Sequence, residues 1–179
     1  FTVPAGPVPF DAPSVFAALR ASSPSHHAGF IRAAGATLLS ASPEQFLGVA
    51  DGRVQTKPIK GTRPRGSDAR ADAALAAELR ASTKEQAENV MIVDLMRNDL
   101  TRVCEPGSVR VDALLNVETY AQVHQLVSTV SGQLRQGVSV SDLLAATFPA
   151  GSMTGAPKRS AMAHLAPGRG LVVVVVGGD

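Results

Sequence analysis

Phe46-Leu47-Gly48-Val49-Ala50-Asp51-Gly52-Arg53-Val54-Gln55-Thr56-Lys57 is the stretch on which the fold class turns. Two short runs flank Asp51-Gly52, a pair that tolerates positive φ at both central positions of a tight turn. The stretch therefore reads as a β-hairpin with strands over 46–50 and 53–57. Upstream, segments 28–33 and 36–41 have strand character on either side of Gly35. Before them, Asp11-Ala12-Pro13 reads as a cap and first turn of a short helix carrying Val15, Phe16 and Leu19 on one side. Downstream, 62–68 is dense in Arg, Pro and Gly and reads as a loop, and Arg70 to Arg80 is an alanine-rich helix. Ser82-Thr83-Lys84-Glu85 fits a capping box opening a longer helix to about Thr101, with Met91, Leu95 and Val103 beside Ile92, Met96 and Leu100 as a broad apolar side. Strands are expected over 108–111 and 123–134, a short helix over 141–147, and a small-residue loop from Gly151 to Lys158 before a last helix. Hairpins early and mixed elements later favour an α+β domain over a doubly wound one.

A chain of 179 residues that is 45% hydrophobic can bury a single core. A net charge of +2, no Trp and one Tyr argue against a nucleic-acid partner, which needs a basic face and stacking platforms. Cys104 is the only cysteine, so there is neither an internal disulfide nor a cysteine metal cage, and a cytoplasmic setting is the simplest expectation. The longest apolar run, Leu171 to Val176, is too short to span a bilayer, so no membrane association is expected. Residues 1–10 are broken by prolines and lack the basic start of a signal peptide. Five consecutive valines want burial on both faces. The expectation is a catalytic domain over 1–179 that is incomplete beyond Asp179 and before Phe1.

Five places carry chemistry. Lys60, in Pro58-Ile59-Lys60-Gly61-Thr62-Arg63, stands at a strand end before Gly-Thr, where an ammonium can project into a cavity and the backbone can approach a ligand closely. Desolvation there would make it a nucleophile, with Arg63 and Arg65 attracting a carboxylate substrate; an exposed basic loop is the competing reading. Glu44, after Ser42-Pro43, is a general-acid candidate or a surface turn residue. Glu85 and Glu88 lie three apart on one helix, enough for a magnesium ion that keeps waters and substrate oxygens, although Glu85 competes as the capping partner of Ser82. His124 sits between apolar neighbours in a strand, as a core histidine or a site residue, with no second histidine at zinc spacing. The loop at 151–158 offers backbone amides and Lys158 to an anion, without nucleotide-binding spacing. Asp94, Arg97, Asn98 and Asp99 read as structural ion-pairing residues.

In order along the chain come Ser-Pro-Glu at 42–44, Pro-Ile-Lys-Gly-Thr-Arg at 58–63, and Glu-Asn-Val-Met-Ile-Val-Asp-Leu-Met-Arg-Asn-Asp-Leu at 88–100. Pro-Gly-Ser-Val at 106–109, Val-His-Gln-Leu-Val-Ser-Thr-Val at 123–130 and Phe-Pro-Ala-Gly-Ser-Met-Thr-Gly-Ala-Pro-Lys at 148–158 follow. These blocks resemble the chorismate-utilising enzymes, which include anthranilate synthase component I, aminodeoxychorismate synthase component I, isochorismate synthase and salicylate synthase. The resemblance implies a partial anthranilate-synthase-type fold of antiparallel sheets flanked by helices, with chorismate and Mg2+ as substrate and cofactor. It also implies roles by position: Glu88 and its neighbour Glu85 for metal, Glu44 as the acid assisting hydroxyl departure, and His124 near the substrate ring. Gly61, Thr62, Thr154, Gly155 and Lys158 would bind substrate. Lys60 stands where the anthranilate branch carries alanine, so it implies the aminodeoxychorismate synthase branch, with a covalent lysine intermediate and ammonia from a glutamine amidotransferase subunit. Anthranilate synthase chemistry and an inactive truncated piece are the alternatives; Leu171 to Asp179 departs from the family pattern.

Overall fold

The computed structural model describes residues 11–33 and 35–165. The expectations on residues 1–10 and on the valine run at 171–176 fall outside the described residues. The described residues divide into two compact units, one up to residue 45 and one from residue 46.

In the first unit, helix α1 (Ala12–Ser22) starts as its sequence requires, with Asp11 accepting from the Ser14 amide at 3.1 Å and proline in the first turn. Strands β1 (His27–Ala33) and β2 (Ala36–Ser42) pair antiparallel from His27↔Ser42 to Ala33↔Ala36. Phe16 of α1 meets Phe30 of β1 edge-on, ring centroids 5.6 Å apart.

The second unit is built round one strand. Sheet order is β3 (Gln45–Ala50), β4 (Arg53–Lys57), β7 (Val123–Gln133), β5 (Ile59–Pro64), with β6 (Arg110–Thr119) also on β7. The hairpin forms as its turn residues dictate, with φ of 50° at Asp51 and 73° at Gly52. Strand β7 pairs with β4 over Arg53↔Gln133 to Thr56↔Val130 and with β5 over Ile59↔Val127 to Pro64↔Val123. It is buried almost throughout, so its polar residues need protein partners.

Helices α2 (Ala69–Ala81) and α3 (Thr83–Thr101) pack on this sheet. Asp68 caps α2, accepting from the amides of Arg70 and Ala71 at 2.9 Å. The buried face of α3 is Asn89, Ile92, Val93, Met96, Asp99 and Leu100, a helical stripe narrower than the apolar pattern suggested; Met91 is exposed. Val93 and Leu100 join Val54, Val103, Cys104, Val130, Leu143 and Ala146 in the core. Each valine or leucine side chain fully buried there contributes about 1.5–3 kcal/mol. Helix α4 (Val140–Thr147) opens with a complete capping box between Ser139 and Asp142, followed by the short α5 (Gly151–Thr154) and by α6 (Lys158–Leu165).

Three expectations are corrected. Residues 62–64 continue β5 and are not loop. The region expected as loop from 151 contains the α5 turn. The strand expected over 108–111 is the ten-residue β6, whose register on β7 shifts between Val111 and Ala113 and again between Ala113 and Asn116. Those irregularities destroy the period-two pattern by which a strand is recognised.

Where β5 turns into α2, a side chain on Gly66 would put Cβ 2.1 Å from the Asp72 amide nitrogen and 2.5 Å from its Cα. These are helix backbone atoms, so the helix itself must move. Gly66→Ala is expected to lower stability by about 3 kcal/mol, read as a drop in urea midpoint. An unchanged midpoint would show that α2 does not rest against this turn.

Candidate active site

Lys60 lies inside β5, not at the end of a strand as its sequence suggested. Ile59 faces Val127 and Thr62 faces Gln125, so Lys60 and Gly61 together stand opposite the single residue Leu126. That is a β-bulge, and Gly61 supplies the positive φ of 89°. Its missing side chain also matters: a Cβ there would lie 2.9 Å from Leu79 Cδ1 and 3.0 Å from Glu85 Cβ. Glycine thus lets the end of α2 and the first turn of α3 close on the bulge. Lys60 is half-buried, and its Nζ donates to the Ser152 carbonyl of α5 at 3.3 Å. Thr62 follows in the strand, also half-buried.

Glu85 forms only half of the expected capping box. Its amide donates to Ser82 Oγ at 3.5 Å, but its carboxylate accepts from Arg63 Nη1 at 3.3 Å while the Ser82 amide donates to the Leu79 carbonyl. Arg63 also donates from Nε to Glu78 at 2.8 Å, and the Glu78 bond, ahead of that to Glu85, holds its pKa above the ordinary arginine value. Arg63 is therefore engaged by protein carboxylates, not left open for a substrate. Glu88, nearly one turn further, is half-buried, and no hydrogen bond or ion pair engages it among the described residues.

His124 is 2% exposed, with Nε2 2.8 Å from Asp72 Oδ1 and Nδ1 2.9 Å from Thr119 Oγ1. An ionised Asp72 accepts, so Nε2 carries a proton. Asp72 also accepts from Arg65 Nε at 2.7 Å, Arg65 Nη2 at 2.8 Å and the Gly66 amide at 2.8 Å. Arg65 first, then the Gly66 amide, hold the Asp72 carboxyl well below the usual carboxylate range. Arg65, like Arg63, is engaged. Sequence reasoning missed Asp72, because a carboxylate in the first turn of a helix already has a generic explanation in the helix dipole.

The remaining candidates are distributed. Lys158 Nζ pairs with Asp99 Oδ2 and donates to the Thr147 carbonyl at 2.9 Å, both side chains being largely buried. Asp99 lies eleven residues beyond Glu88 on α3, about 16 Å along its axis, so Lys158 fastens the far end of the helix. Thr154 donates from Oγ1 to the Gly155 carbonyl, and Gly155 has φ 67°. Glu44 belongs to the first unit, where its amide donates to Ser42 Oγ at 3.3 Å. One neighbourhood therefore joins Lys60, Gly61 and Glu85 with Ser152. Glu88 stands on the same helix, and His124 lies two residues from Leu126 on the same face of β7. An open groove of about 820 Å³ runs along α3 past Ala87, Val90, Met91 and Leu95 to Leu115 and Ala156, and none of these candidate residues lines it.

A carboxyl whose folded pKa is depressed stabilises the fold above its unfolded value near 4 and loses that contribution as pH falls from there. Wild type is expected to lose urea resistance from about pH 5 downward, most steeply below about pH 4. Asp72→Asn should be weaker at neutral pH and show a shallower acid loss. Parallel curves for the two proteins would remove Asp72 as an ionised partner of Arg65.

Comparison with known proteins agrees with this architecture. A family model described as chorismate binding enzyme matches residues 3–167. Aminodeoxychorismate synthase of Streptomyces pristinaespiralis is 56% identical over 146 residues, 81% of this chain and 20% of that protein. Aminodeoxychorismate synthase component 1 of Salmonella typhimurium is 52% identical over 133 residues, 74% of this chain and 29% of that protein. The crystal structure of anthranilate synthase component I from Streptococcus pneumoniae matches with a TM-score of 0.73 at 38% identity, over 87% of this chain and 34% of that one. The chain thus spans between one fifth and about one third of these relatives. With the α+β architecture of antiparallel sheets and helices that it shares with the Streptococcus enzyme, the chain belongs to the chorismate binding enzyme family.

Proposed function

We propose that this chain carries the catalytic lysine of an enzyme that aminates chorismate to 4-amino-4-deoxychorismate, the precursor of p-aminobenzoate and folate. The observation that carries the proposal is Lys60 itself: a half-buried ammonium beside a glycine bulge that packs on the Glu85 turn of α3, aimed at a neutral carbonyl of α5. The relatives named aminodeoxychorismate synthase support the same choice.

The Lys60 amine, once deprotonated, attacks the ring as the hydroxyl departs with a proton from a carboxylic acid, the role proposed for Glu44. Ammonia then bonds to the carbon that bore the hydroxyl and the lysine leaves. One difficult substitution becomes two easier ones. His124, with Nε2–H fixed by Asp72, presents an imidazole of set tautomer near the ring. Gly61, Thr62, Thr154, Gly155 and Lys158 remain the proposed substrate-binding positions.

The residues present fit Mg2+: Glu88 offers a half-buried carboxylate that nothing engages among the described residues, and Glu85, a turn away, a second one that it would share with Arg63. No group of three ligating side chains occurs among the described residues, so waters and substrate oxygens would have to complete the coordination. When bound, it would neutralise substrate carboxylate charge. Ammonia would come from a glutamine amidotransferase subunit, in the cytoplasm. The likeness to anthranilate synthase component I favours a second reading, in which ammonia attacks directly and pyruvate is eliminated.

The test is mass spectrometry of the intact protein with chorismate and magnesium and no ammonia source. A peptide containing Lys60 should gain chorismate less water. Lys60→Ala should lose that adduct and at least about 100-fold of aminodeoxychorismate formation. Equal output from both proteins without an adduct would remove Lys60 from the mechanism and leave the anthranilate reading.

A further inference from the structure

Asn89 is fully buried in the middle of α3, next to Glu88, where an apolar residue would pack with less polar desolvation. Its Nδ2 donates to the Leu126 carbonyl at 3.1 Å, and its Oδ1 accepts from Ser128 Oγ. That assignment of the amide is forced, because a carbonyl cannot donate. Ser128 Oγ in turn accepts from the Leu115 amide at 3.0 Å.

Both β7 residues held in this way stand opposite irregularities in their neighbours. Leu126 faces the Lys60–Gly61 bulge of β5. Ser128 faces Leu114 and Leu115 of β6, where the register passes from Ala113↔Thr129 to Asn116↔Val127 and Leu115 has φ 58°. A bulge interrupts the ladder and leaves backbone groups to find other partners. Here one helix side chain satisfies a carbonyl on the β5 side and, through Ser128, an amide on the β6 side. If the Asn89 amide were absent, the buried Leu126 carbonyl would be unpaired, and a regular ladder with β5 would become the better arrangement. Regularising β5 by one residue turns Lys60 to the opposite face.

We infer that Asn89 is the positioning residue for Lys60: through the Leu126 carbonyl it holds open the bulge that aims the lysine at the site. The inference rests on the proposed role of Lys60 for its functional meaning, but its geometry can be tested separately. Acetic anhydride labelling of the intact protein, resolved by mass spectrometry, reports the reactivity of Lys60 against the exposed Lys84. Asn89→Leu should raise the relative labelling of Lys60 about fivefold, the equivalent of one lost hydrogen bond. Asn89→Asp, isosteric but without the donor, should do the same and serves if the leucine variant does not fold. Ser128→Ala destabilises the same network yet spares the bond to Leu126, so Lys60 labelling should stay within about twofold of wild type. Unchanged labelling in the Asn89 variants, or an equal rise in Ser128→Ala, overturns the inference, since the first shows no coupling and the second only general loosening. A wild-type protein that forms no chorismate adduct, but shows this labelling pattern, retains Asn89 as the positioner of Lys60 and rejects the covalent mechanism.

Discussion

The hydrogen bond from the Asn89 side chain to the Leu126 carbonyl joins helix α3 to the central strand at the point where β5 bulges. Most of the second unit can be understood from that point. Glycine at 61 permits the backbone turn and the close approach of Glu85 and Leu79. The bulge sets the direction of Lys60, and α3 sets the carboxylates at 85 and 88. Strand β7 has both edges paired, to β4 and β5 on one side and β6 on the other, so its polar residues are satisfied from within: Ser128 by Asn89, Ser131 by Asp112, His124 by Asp72 and Thr119.

Charge is distributed with similar economy. Arg63 and Arg65 meet Glu78, Glu85 and Asp72, Lys57 meets Glu118 at 2.8 Å, and Lys158 meets Asp99. Lys60 differs from Lys57 and Lys158 in meeting a neutral carbonyl in place of a carboxylate. Lys57 and Lys158 are held in ion pairs, whereas Lys60 has no carboxylate partner among the described residues.

How far the sequence could be read depended on whether the information was local. Asp51-Gly52, the Asp11 cap and the extent of α3 are set by neighbours in the chain, and each is legible from a few residues. The ten-residue β6 was not, because its bulges displace the alternation that marks a strand. Glu85 looked like a capping partner of Ser82, yet Arg63, 22 residues away, takes its carboxylate. The bonds that give Asp72 and Asn89 their place here were not legible, since Asp72 meets His124 across 52 residues and Asn89 meets Leu126 across 37. The motif residues could be recognised from the chain alone; the side chains that aim them required the fold.

The most direct test of the central claim is a crystal structure of the intact protein with chorismate and magnesium. The account predicts Lys60 Nζ within about 3.5 Å of a ring carbon, the separation of a near-attack geometry, with the bulge opposite Leu126 intact and the Asn89 bond in place. A ring bound elsewhere, with Lys60 still on the Ser152 carbonyl, would contradict it.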